Sequence, residues 1–192
     1  MRLDCLRHGL TIGNTKGIYE GRSDGVLTEH QVLSLATVRF DVSGYDAVYC
    51  SPLGRCRDTA HALGIRAWIS DTRISERDFG IFEGLSASEC ASRYQSEFAA
   101  FQRFDANYCI PGGESRAQHL ARTIEWVREI AGIRRVLAIT HGGTIDFLYR
   151  AATGISPHGG ERIFSGSAAS VSSFDLNWPK VELLRYDDPV VA

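Results

Sequence analysis

Arg2–Gly9 reads RLDCLRHG, a short apolar stretch near the head of the chain that ends in arginine, histidine and glycine. Two further runs end in the same manner. Asp46–Cys50 leads into SPLGR, which closes on Arg55, and Arg135–Thr140 leads into HGG, His141–Gly143. Each run has the length of a strand and stops at residues able to do chemistry, and a helical pattern, or a loop leading to one, follows. Strand then helix, repeated, predicts an α/β layer structure with a largely parallel sheet.

The segments between these runs fill in the helices. Thr28–Phe40 sets Val32, Leu35, Ala36 and Val38 at near-helical spacing behind a Thr28 N-cap, and Arg55–Leu63 continues as a helix ended by Gly64. Glu114–Ala131 gives the clearest pattern, with Ala117, Leu120, Ala121, Ile124, Val127 and Ala131 on one stripe and Gly132 as its stop. Ser86–Phe104 is also helical but rich in small and polar residues, which fits a lid over a cleft. SAASVSSFDL, NWPK and VELLRY near the end predict an antiparallel hairpin closing one sheet edge. No repeat, low-complexity tract or linker divides the 192 residues, so a single domain is expected.

Composition narrows the class of ligand. A formal charge of −2 comes without any run of Lys and Arg, which argues against nucleic acid or an acidic membrane as partner. Lys16 and Lys180 are the two lysines, so nearly all fixed positive charge is guanidinium, the group suited to forked hydrogen bonds with phosphate or carboxylate. A codon bias toward arginine would give the same count. Cys5, Cys50, Cys56, Cys90 and Cys109 are odd in number and lack C-x-x-C spacing, as expected of reduced, mostly buried thiols in a cytoplasmic protein. Met1 leads straight into RLDCLRHG without a charged-then-apolar leader, and no apolar stretch approaches the roughly eighteen residues of a membrane span. A soluble, unexported chain is expected.

In open α/β sheets, ligands gather at the carboxyl ends of the strands, so Arg7, His8, Arg55 and His141 are predicted to converge. Two histidines and two arginines suit a dianion, and a phosphate monoester is the common one. Arginine forks bind its oxygens while neutral imidazole attacks phosphorus in line. The departing alkoxide needs a proton. ISERDFGIFEG, Ile74–Gly84, offers Glu76, Asp78 and Glu83 as the acid, and the residues alone do not choose among them. A bound dianion would raise the pKa of whichever carboxyl lies beside it. His30, His61, His119 and His158 lack any motif context and are expected on the surface, as is Arg57. Cys56 reads as a buried inert thiol, with an oxidation-sensitive one as the alternative.

Taken in order, LRHGLTIGN, YCSPLGRCRDTA, ISERDFGIFEG, PGGES and ITHGG resemble the histidine phosphatase superfamily, which includes phosphoglycerate mutases and many small bacterial phosphatases. The resemblance covers nearly the whole chain. It implies a three-layer sandwich with a small helical insertion, about residues 80–112, over the active site. It makes His8 the nucleophile, Arg7, Arg55 and His141 the phosphoryl clamp, and Glu76 the proton donor. Asn14 matches a phosphate-pocket or nucleophile-orienting position, while Gly9 and Gly142 let backbone approach closely behind the histidines, with a helix N-terminus near Thr144. Tyr19, Glu20, Gly21 and Arg22 become candidate substrate contacts at the pocket mouth. A plain polar loop is the other reading of those four.

No metal or cofactor is required by this mechanism, and no H-E-x-x-H spacing occurs. Ile12-Gly13 ahead of Asn14, LTEHQ and Cys56 depart from the family's usual residues, which bears on substrate fit. The resemblance implies a phosphomonoesterase working through phosphohistidine. Its short chain and ERDFG in place of ERHYG count against a mutase. PGGES and YEGRSDGVLT look most like α-ribazole phosphatases of cobalamin biosynthesis. The alternatives are a phosphoglycerate mutase, a broad-specificity sugar or nucleotide phosphatase, and a non-catalytic phospho-ligand binder. The partners expected are a small phosphate ester and, at most, a second copy of the chain in a homodimer.

Overall fold

The computed structural model describes residues 1–161, 163–177 and 179–190. In chain order, the elements are β1 (Arg2–Arg7), α1 (Ile12–Thr15), α2 (Glu29–Ala36), β2 (Ala47–Cys50), α3 (Gly54–Ala62), β3 (Ile69–Ser70), α4 (Ala87–Arg93), α5 (Gln95–Phe101), α6 (Arg116–Glu129), β4 (Arg135–Thr140), α7 (Gly142–Ala152), β5 (Ser170–Asn177) and β6 (Lys180–Pro189). The sheet runs β3-β2-β4-β1-β5-β6, parallel across its first four strands and antiparallel at β5 and β6.

β1 and β4 sit at the centre and are buried almost throughout because both faces are covered, with β4 apolar from Val136 to Ile139 and Asp4 a buried charge in β1. Strand alternation sorts their side chains between the two faces. Leu3, Cys5, Val136 and Ala138 pack with Trp126, Val127, Ile145 and Leu148 from α6 and α7. Leu6, Leu137 and Ile139 point to the opposite face, against Leu35 of α2 and Cys56 and Ala60 of α3. Trp126 is fully buried and meets Tyr49 edge-on at 5.5 Å. Truncating a ring so placed to alanine costs about 3–5 kcal/mol.

The expected helices appear with altered ends. Thr28 caps α2 by accepting the Gln31 N–H, but the helix stops at Ala36, and the Phe40 N–H instead reaches the carbonyl of Leu63 at the end of α3. Gly64 closes α3 at φ +78°, which favours glycine. In α6, Ser115 and Gln118 form a capping box, and the buried stripe is His119, Leu120, Thr123, Trp126 and Val127, one position out of phase with the alanine-rich one expected. Alanines at 117 and 121 are tolerated on the outer side because a methyl buries little area.

Ser86–Phe104 is two helices, broken where Tyr94 adopts φ −135° and ψ 54° and turns its ring toward Phe82. β3 has only two residues, too few to show a strand's alternation. The C-terminal hairpin is present as β5 and β6, with Trp178 of its turn outside the described residues. No helix among the described residues is long and apolar enough to cross a membrane.

Candidate active site

Backbone ladders carry the site. The His8 N–H donates to the Thr140 carbonyl at 3.0 Å and the Ser51 N–H to that of Ile139 at 3.0 Å, so the ends of β1, β4 and β2 lie side by side. His8 and His141 meet there, their ring centroids 5.1 Å apart. The Nδ1 atom of His8 lies 2.8 Å from the Gly9 carbonyl oxygen. A carbonyl only accepts, so Nδ1 carries the proton and Nε2 the lone pair. Gly9 is tightly enclosed, since a Cβ there would come within 2.8 Å of Gln31 and 3.3 Å of Leu35.

His141 has the opposite tautomer. Its Nδ1 accepts from Arg55 Nε at 3.2 Å, which leaves the Nε2 proton for Ser51 Oγ at 2.8 Å. Burial, then the neighbouring Arg55 charge, pushes the His141 pKa well below its ordinary value, which favours the neutral ring. Arg55 is buried too. Its Nη1 donates to the Ser23 carbonyl at 2.8 Å and its Nη2 to the carbonyls of Gly21 and Glu20 at 2.7 and 3.2 Å. Arg57 faces solvent. The Cys56 thiol lies 3.4 Å from His141 Nε2, and burial pushes its pKa far up, which makes it a poor nucleophile.

A cavity of about 480 Å³ opens in front of His8. Arg7, Asn14, Glu20, Glu76 and Gly142 share its wall, whereas Arg55, His141, Gly21 and Arg22 do not. Arg7 Nη1 donates to the Gly166 carbonyl. Asn14 and Thr11 cap α1 reciprocally, and Glu20 accepts from both side chains. Gly21 contributes backbone only, its carbonyl to Arg55 and its N–H to Glu83.

Position separates the three candidate acids. Glu76 alone of them lines the cavity, where Oε1 accepts the Arg77 N–H at 2.9 Å and Oε2 the Gly143 N–H at 3.0 Å. Gly143 allows this seat, because a Cβ there would fall 2.1 Å from Oε1. α7 starts at Gly142, two residues ahead of the expected Thr144. Glu83 instead gathers N–H donors from Gly21, Arg22, Ser23 and Phe79 and the Ser23 hydroxyl. Burial acts to raise its pKa, but those hydrogen bonds, led by Ser23, bring it below the usual carboxylate value. Asp78 caps the Gly80 N–H at 2.8 Å.

Four features of the wall, Tyr19 of its aromatic part excepted, are not among the residues expected from the sequence. His119 is 2% exposed rather than on the surface, hidden by the one-position phase error in the α6 stripe. His30, His61 and His158 are exposed as expected. Arg77 stacks its guanidinium over Phe79 and Phe101 at 4.8 and 5.2 Å from the ring centroids. Arg116 bonds Asp146 Oδ2 at 2.6 Å while lying over Phe147. Away from the strand ends, the outer wall is aromatic, lined by Tyr19, Phe79, Phe98, Phe101, Phe104 and Tyr108. Among the described residues, no cluster of three or more His, Cys, Asp or Glu is arranged to hold a metal ion.

The sequence pattern of the histidine phosphatase superfamily (branch 1) matches residues 3–189. The chain is 30% identical to the 2,3-bisphosphoglycerate-dependent phosphoglycerate mutase of Brucella ovis, over 81% of this chain and 82% of that protein. It is 28% identical to the metal-independent phosphoserine phosphatase of Arabidopsis thaliana, over 90% of this chain and 76% of that protein. The crystal structure of the α-ribazole phosphatase from Shigella flexneri superposes with a TM-score of 0.82 at 24% identity, covering 100% of this chain and 98% of that one, and shares the fold.

Proposed function

The chain belongs to the histidine phosphatase superfamily (branch 1), and on that footing we propose that it is a phosphomonoesterase acting through a phosphohistidine on small esters with a flat aromatic alcohol portion. One observation carries this reading: His8, with its Nδ1 proton held by the Gly9 carbonyl, and the carboxyl of Glu76 stand on the wall of one cavity. The Nε2 lone pair of His8 attacks phosphorus and the ester P–O bond breaks, while protonated Glu76 gives its proton to the leaving alkoxide. Water then attacks the phosphohistidine, Glu76 takes a proton from it, and inorganic phosphate leaves.

Arg7 supplies charge and N–H donors on the cavity wall, and Arg55 and His141, buried behind that wall, add positive charge once the dianion arrives. Arg55 reaches the phosphoryl group by exchanging a loop carbonyl of Gly21 or Ser23 for a phosphoryl oxygen. Arrival of the dianion favours a protonated His141, reversing the effect of burial.

The aromatic outer wall favours a planar ring over a glycerate, as in a benzimidazole nucleoside, and α-ribazole 5′-phosphate is the substrate we assign on that basis. The unpaired cysteines, four of them buried, are in keeping with a reducing, cytoplasmic setting. A second reading is a phosphoglycerate mutase, favoured by Arg77, whose guanidinium on the cavity wall would suit a carboxylate. A turnover panel of α-ribazole 5′-phosphate, phosphoserine and 3-phosphoglycerate separates the two. Phosphate release, fastest with the nucleotide and accompanied by an acid-labile, base-stable phosphoenzyme, is expected. Interconversion of 2- and 3-phosphoglycerate without net phosphate release would establish the mutase instead.

A further inference from the structure

His119 is buried on α6 and takes no part in the reaction outlined above. Its ring packs edge-on against Phe147, with centroids 4.8 Å apart. Nε2 lies 3.1 Å from the hydroxyl of Thr144, in the first turn of α7, and Nδ1 faces Glu76 Oε1 at 4.0 Å. Burying an imidazole costs free energy unless both nitrogens meet polar partners. Thr144 meets one, and the carboxyl of Glu76 is the group that faces the other.

The geometry points to His119 as the residue that positions Glu76 for proton transfer, an assignment that rests on the phosphomonoesterase reading. With the Thr144 O–H donating to Nε2, the ring proton sits on Nδ1 and is directed at Oε1. The backbone N–H groups of Arg77 and Gly143 already bind one carboxyl oxygen each. At 4.0 Å the His119 N–H makes no formed hydrogen bond to Oε1; its dipole, directed from the α6 side, favours one rotation of the carboxyl about its last bond. His119 neither gives nor takes a proton in the reaction.

Its neutrality matters. Burial foremost, with the charges of Arg122, Arg77, Arg22 and Arg116, holds the ring uncharged. An imidazolium at this place would hold Glu76 as a carboxylate and deprive it of the acid form. A neutral N–H orients the group and still lets it alternate between acid and base.

The test compares two esters. p-Nitrophenyl phosphate has a leaving group that departs without a proton, and 2-phenylethyl phosphate has one that cannot. His119→Phe, which keeps the ring against Phe147, should lower kcat/KM for the alkyl ester about 10- to 100-fold and for the nitrophenyl ester less than about 3-fold. His119→Gln, with a neutral N–H, should recover most of that loss. In a Glu76→Gln background, His119→Phe should add nothing further. Should His119→Phe fail to fold, Thr144→Val removes the hydroxyl that orients the ring and should show the same split at about 3- to 10-fold. Equal losses on both esters, or an undiminished loss in the Glu76→Gln background, would overturn the assignment alone. Turnover of neither ester by the unaltered enzyme would overturn the phosphomonoesterase reading, and this one with it.

Discussion

At the inner end of the cavity, His8 hangs from the end of β1, in register with β4, and Glu76 is held by two backbone N–H groups. At the outer end, Tyr19, Phe79, Phe98 and Phe101 pack ring against ring, with centroids 5.1–6.4 Å apart, on short helices and loops. Hydrogen bonds are directional and lose their value within a few tenths of an ångström. Ring packing tolerates changes of volume and shape far better. The inner end is therefore fitted to one chemistry, while the outer end can be recut for another alcohol without disturbing it.

The sharpest challenge to that division is His8→Ala. Removing the nucleophile should lower kcat at least about 10⁴-fold on every ester and abolish the trapped phosphoenzyme. Turnover within about tenfold of the unaltered enzyme would mean that the inner end does not do the bond-breaking.

Next comes stability against pH. His119 and His141 are held neutral in the fold, with pKa values well below the ordinary 6.5. As pH falls below about 6.5, the unfolded chain takes up protons that the folded one does not, so stability must fall with pH. Between pH 7.5 and 5.5 each ring should remove on the order of 1 kcal/mol. Urea unfolding at the two pH values reads the difference, and His119→Phe should remove about half of the histidine contribution. Phe101→Ala should leave the slope as it was, because the dependence belongs to the inner end.

The smallest effect tests the outer end directly. Phe101→Ala on α5 should raise KM for an aromatic ester about tenfold, with kcat changed less than about 3-fold. KM for a small alkyl phosphate should stay within about 2-fold. A collapse of kcat on both substrates would show that the rings do more than hold the alcohol.

The two ends also differ in how far they can be read from the chain. His8, Arg55 and His141 follow short apolar runs, and a run ending in a polar residue and glycine announces a strand end from a few neighbouring letters. Glu76 is harder. Three carboxylates lie within eight residues, and what separates them is the Gly143 N–H, sixty-seven positions away. The outer wall is drawn from Tyr19 through Tyr108 by packing alone, and no local period marks residues so assembled. His119 escaped for a different reason. Small residues on the outer side of α6 blurred the phase of its stripe, and a single-position shift is enough to move a histidine from solvent to the core.

The loop from Glu20 to Ser23 is gripped from two sides. Arg55 holds the carbonyls of Glu20, Gly21 and Ser23, and Glu83 holds the N–H groups of Gly21, Arg22 and Ser23. The peptide units are strung between a cation and an anion like rungs between two rails. One rail can let go while the other keeps the rungs in line, so the loop has no need of Arg55 to stay where it is, and the guanidinium can turn to an arriving anion without its surroundings coming loose.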